Sequence, residues 1–85
     1  MTTKKNSSEA RAEVRIGIAD SNQELNFESN SDVASVQALV TAALDKGTTL
    51  VLTDARGRQV IVAANKISFV EVGESAERRV GFASL

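Results

Sequence analysis

The sequence has 85 residues, a length that fits one small domain. It contains no cysteine and no histidine, which excludes disulfides, zinc sites built on these residues and nucleophiles activated by histidine. Ten basic and eleven acidic residues give a net charge of −1, so neither nucleic acid nor an anionic membrane is an expected partner. We therefore expect a protein without metal or cofactor.

The N-terminal residues 1–12 are polar and show neither strand nor helix periodicity, which predicts a disordered leader before a single domain over residues 13–85. No apolar run approaches the ~20 residues needed to cross a bilayer. The lysines near the N-terminus are not followed by the apolar segment of a secretion signal. These features predict a cytoplasmic protein.

The first half of the domain reads as a hairpin and a helix. Apolar and polar residues alternate over residues 13–18 and again over residues 24–28, with a turn cluster at Asp20–Asn22, which predicts two antiparallel strands. Apolar residues then recur at helical spacing over residues 32–45. Ser31 or Asp32 is suited to cap this helix, and Gly47 is suited to end it in the left-handed conformation.

The second half reads as three strands. Two β-branched runs, residues 49–53 and 58–63, flank Asp54–Gly57, which fits a type I turn followed by a left-handed residue at Gly57. Residues 67–72 add a third strand, and the C-terminal end is either an edge strand or a strap. The predicted fold is α+β with the order ββαβββ, an antiparallel-dominated five-stranded sheet with one helix on one face.

The last strands are apolar on both faces, which predicts that a partner covers the face away from the helix. We expect Phe69 to pack with Ile16 and with Leu39 or Val40 in the core. The opposite face would then be the contact surface of a homodimer. Its candidate residues are Val70, Val72, Val80, Phe82 and Leu85. The alternative is that the C-terminal segment of the same chain covers this face.

Other polar groups have structural explanations. The weak candidates for an anion contact are Arg56, Arg58, Arg78 and Arg79. The segment Lys46–Thr49 reverses the residue order of a phosphate-binding loop and follows a helix end, so it favours helix capping over nucleotide binding. Glu71 lies inside an apolar strand, and we expect it to pair with Arg15 or Arg58 across the sheet.

Four blocks of the sequence together resemble a family of small actinobacterial proteins of unknown function. These blocks are Val14–Ile18, Leu52–Arg58, Ile67–Gly73 and Arg78–Phe82, and the similarity covers about residues 13–83. Some members are labelled ATP-binding proteins, and the resemblance implies no established catalytic or binding residues. The leading hypothesis is a non-enzymatic, self-associating interaction module, and the alternative is a protein that binds a small ligand or nucleotide such as ATP.

Overall fold

The computed structural model describes residues 11–75, which form one helix and five strands. The strands are β1 (Arg11–Ile18), β2 (Glu24–Asp32), β3 (Thr49–Thr53), β4 (Gln59–Ala63) and β5 (Ile67–Glu74), the helix is α1 (Val33–Lys46), and a 3₁₀ turn (Ala64–Lys66) precedes β5. The predicted α+β class and the order ββαβββ are confirmed. Strand β1 includes Arg11 and Ala12, which precede the expected start of order at Glu13, and Ala12 is fully buried. The rest of the predicted leader, residues 1–10, lies outside the described residues.

Both ends of α1 carry the predicted caps. The Asp32 carboxylate accepts a hydrogen bond from the Ser35 N–H at 3.3 Å, which satisfies one of the free amides of the first turn. Gly47 has a φ of 67° and donates its N–H to the Ala43 carbonyl, which closes the last turn. Among residues 11–75, α1 included, no helix has the length and apolar character required to span a membrane.

The five strands divide into two sheets, which corrects the expectation of one continuous five-stranded sheet. The first sheet has the antiparallel order β2-β1-β5, and the second is the hairpin β3-β4. A single bridge between Ser29 and Asp54 joins them. The core lies between the helix and the inner faces of both sheets. Its buried residues are Ala12, Val14, Ile16, Val36, Val40, Ala43, Leu50, Leu52 and Val62.

The assignment of β5 residues to the two faces was wrong. Residues directly opposite in an antiparallel pair share a face, and Ile16 lies opposite Val70 whereas Val14 lies opposite Val72. Val70 and Val72 therefore face the helix and are half-buried against the core. Phe69 lies on the outer face and is 38% exposed.

The helix contributes only one of its two candidate core residues. Val40 is buried in the core as expected, whereas Leu39 is 49% exposed.

The predicted dimer-contact residues on β5, Val70 and Val72, lie on the inner side of the sheet, and their role in a dimer stays a prediction. The other candidates, Val80, Phe82 and Leu85, lie outside the described residues.

Candidate interaction surface

The turn between β3 and β4 has the predicted geometry. The Gly57 N–H donates to the Asp54 carbonyl at 3.0 Å, which closes a four-residue turn, and the Asp54 N–H donates to the Arg58 carbonyl at 2.8 Å. Gly57 has a φ of 89°, a conformation that glycine adopts at little cost. The turn assignment and the left-handed conformation of Gly57 are therefore confirmed.

The Asp54 side chain holds this turn together from inside. It is only 4% exposed. One carboxylate oxygen accepts the N–H groups of Arg56 and Arg58 at 2.9 and 2.8 Å, and the other accepts the Arg58 Nε at 2.9 Å. Burial alone would raise the pKa of Asp54, but these donors and the arginine charge outweigh it and hold the pKa below its ordinary value of 3.8.

The same turn is attached to the first sheet. Ser29 on β2 is buried and forms the bridge with Asp54. The Ala55 N–H donates to the Glu28 carbonyl at 2.8 Å, and the Ser29 hydroxyl accepts the Ser31 N–H at 3.0 Å. The tip of the β3–β4 hairpin is therefore fixed to the edge of the first sheet at β2. This contact helps to fix the orientation of the hairpin relative to that sheet.

We expect the stabilisation by Asp54 to be lost in acid. Its pKa is lower in the folded protein than in the unfolded chain, so the unfolded chain takes up the proton first as the pH falls. The stabilisation by Asp54 is complete when the pH is above the pKa of Asp54 in the unfolded chain. It disappears as the pH falls through the lower pKa of Asp54 in the folded protein. Asp54→Asn should lower the melting temperature near neutral pH, and its difference from the native protein should shrink in acid. Melting curves between about pH 7 and pH 2 test this, and a difference that is constant with pH would contradict it.

The arginines of the turn lie among carboxylates, and their role as an anion contact stays a prediction. Arg56 and Arg58 line an open groove of about 290 Å³ between the turn and β2, and the same groove contains Glu28 and Asp54. The Arg58 guanidinium contacts the Asp54 carboxylate at 2.9 Å. The groove therefore presents mixed charge. Arg78 and Arg79 lie outside the described residues.

The outer face of the first sheet is polar around one arginine. The Arg15 guanidinium contacts Glu24 on β2 and Glu71 on β5, each at 3.0 Å, which confirms the predicted pairing of Glu71 with Arg15. The hydrogen bonds that the Arg15 guanidinium donates to the Glu24 carboxylate are the main cause that raises the pKa of Arg15. Its guanidinium also lies 5.5 Å from the centre of the Phe69 ring, and this ring covers Gly17. The Arg15 guanidinium on the outer face of the first sheet thus finds its partners within the same sheet.

The outer face of the hairpin is different, because it exposes apolar side chains. Val51 on β3 lies directly opposite Ile61 on β4, and their exposed fractions are 42% and 61%. The flanking residues of this face are uncharged. They are Thr49, Thr53, Gln59 and Ala63. This hairpin face therefore brings exposed β-branched residues of two neighbouring strands together.

Residues 11–75 contain no group of three or more side chains that could hold a metal ion.

A family model described as a protein of unknown function (DUF3107) matches residues 12–83. The chain belongs to the DUF3107 family. No curated protein matches the chain. The DUF3107 match includes the helix and all five strands from Ala12 onwards, and it continues beyond the described residues.

Two features of the DUF3107 domain were not predicted. The first is the burial of Ser29, which lies in a polar run and gave no sign of its contact with Asp54. The second is the packing of Phe69 over Gly17. Strand alternation places Val51 and Ile61 on the face away from the buried residues Leu50, Leu52 and Val62, but it does not tell which of the two faces is exposed.

Proposed function

We propose that this domain is a non-enzymatic interaction module that associates with a second copy of itself through the β3–β4 hairpin. The observation that carries the proposal is the exposed pair of Val51 and Ile61 on an uncharged face. Exposed apolar side chains that adjoin one another on a small domain are typical of contact surfaces. Because an 85-residue chain buries a small core, association also offers it additional stability.

The non-enzymatic part of the proposal rests on the residues available for catalysis. The sequence lacks cysteine and histidine. Several described carboxylates already have structural partners: Asp32 caps α1, Asp54 holds the hairpin turn, and Glu24 and Glu71 contact Arg15. Asp54 is the clearest case, because three hydrogen bonds from fixed donors stabilise its charged form and make it a poor candidate for a general base.

Nucleotide binding is the alternative, and it has less support. Gly47 ends α1, where the partial negative charge of the helix disfavours phosphate. The Arg58 guanidinium is already engaged by a carboxylate. No contact among residues 11–75 favours a bound nucleotide over a second protein chain.

Light scattering on the full chain at millimolar concentrations tests the proposal. The native protein should have the mass of a dimer, whereas Ile61→Lys should have the mass of a monomer because its two copies would place like charges in the contact. Leu39→Lys is the matched control, since Leu39 is also exposed but lies on α1. It should remain a dimer. Added ATP should change neither mass nor melting temperature. A native monomer, or a dimer that Ile61→Lys leaves intact, would overturn the proposal.

A further inference from the structure

One edge of β4 pairs with no other strand of the described residues 11–75. The hydrogen bond between the Asp54 N–H and the Arg58 carbonyl identifies these residues as a hydrogen-bonded pair of the hairpin ladder. Such pairs alternate with pairs whose backbone groups point away from the neighbouring strand. The β4 residues that point their N–H and C=O groups away from β3 are Gln59, Ile61 and Ala63. Within residues 11–75, β4 pairs with β3 alone.

We infer that the second copy binds edge to edge, with β4 of one subunit pairing antiparallel with β4 of its partner about a twofold axis at Ile61. This inference rests on the proposed self-association and specifies its geometry. Ile61 is the middle residue of Gln59–Ala63, so the twofold axis places it opposite its own counterpart. Gln59 then lies opposite Ala63 of the partner subunit, and about six backbone hydrogen bonds form. The two hairpins become one four-stranded sheet.

Charge favours this edge over the others. Strand β4 contains no charged residue, so the twofold pairing opposes no like charges along its length. Strand β5 is also an edge strand in the part of the chain that the structure describes, but it carries Glu71 and Glu74, and charges of this kind protect edge strands from pairing. The edge of β2 is occupied near Glu28, where the Ala55 N–H binds. A second copy fits β4 because the strand is complementary to itself under a twofold rotation.

The side chains are compatible with a β4–β4 pairing that is centred on Ile61. In the paired sheet, Ile61 lies beside its counterpart on the outer face, and on the inner face Val60 lies opposite Val62 of the partner subunit. The core of one subunit would therefore continue into the other at Val62, which is already buried. The contact is short, below the ~1,200 Å² of a standard interface, so we expect a dimer that dissociates on dilution.

Disulfide trapping tests the geometry, because the sequence contains no cysteine that could interfere. The inferred pairing brings the two Cα atoms at position 61 to about 5.5 Å, within the range of a disulfide. The matched control is position 51, which lies on the same outer face but is separated from its counterpart by the two β4 strands, at about 14 Å. With oxidised glutathione as the oxidant, Ile61→Cys should form covalent dimers on the order of 100-fold faster than Val51→Cys.

The outcomes separate this inference from the proposed function. Selective trapping at position 61 supports edge pairing. Equal trapping at both positions, or faster trapping at position 51, overturns edge pairing. If light scattering still gives the mass of a dimer, self-association is supported even though its geometry is not. A monomer mass for the native chain together with slow trapping at both positions overturns both.

Discussion

Replacing Ile16 by alanine should lower the free energy of unfolding by about 2–5 kcal/mol, because it removes a large side chain from the centre of the core. Ile16 is fully buried on the middle strand of the first sheet. It lies opposite Leu25 on β2 and Val70 on β5, so both neighbouring strands lose contact when it is truncated. A small domain has little stability to lose, and Ile16→Ala should be largely unfolded at moderate urea concentrations.

The same substitution at Ile61 provides the control. Ile61 is 61% exposed, so Ile61→Ala should cost about 1 kcal/mol or less, mainly through lower β propensity. Urea unfolding monitored by circular dichroism, at a concentration low enough to keep the protein monomeric, gives both values. Similar losses for the two variants would contradict the assignment of Ile16 to the core and Ile61 to the surface.

Gly17→Ala should be unusually destabilising for so small a change. A Cβ atom at Gly17 would lie 2.6 Å from Cδ2 and 2.8 Å from Cζ of the Phe69 ring, well inside van der Waals contact. The ring would have to move, and it would lose its packing over the strand and its contact with the Arg15 guanidinium. Phe69 is 38% exposed and its ring can move towards solvent, so we expect a loss of about 1 kcal/mol, at the low end of the cost of overpacking.

The cause can be isolated with a double-mutant cycle. If the ring is the obstacle, Gly17→Ala should cost much less in a protein that already carries Phe69→Ala, since no ring remains to be displaced. Unfolding free energies of the two single variants and the double variant give the coupling. Additive losses would show that Gly17 is required for a reason other than its contact with Phe69.

Local chemistry explains why much of the fold could be predicted. Asp32 and Gly47 cap α1 through contacts with residues a few positions away. Gly57 adopts its positive φ because of the turn in which it lies. Each of these features depends on a short segment, so the residue types alone determine it.

Features that depend on distant parts of the chain were harder to predict. Both alternating sets of β5 contain apolar residues, and the pairing of Phe69 with Gly17 places Phe69 on the outer face together with Glu71. The connection between the two sheets depends on the contact of Ser29 with Asp54, which are far apart in the sequence. For the same reason, strand alternation indicated an exposed apolar face but did not show that it belongs to the hairpin rather than to β5.

Amide hydrogen exchange at Ile61, measured by NMR on the full chain from micromolar to millimolar concentration, tests the central claim most directly. The Ile61 N–H points away from β3, and edge pairing gives it a partner in the second subunit. Its exchange should therefore become slower as the concentration rises and return to fast exchange on dilution, and Ile61→Lys should abolish the effect at the neighbouring Ala63. Fast exchange at every concentration would contradict a dimer formed through β4, as would slow exchange that persists in a monomer.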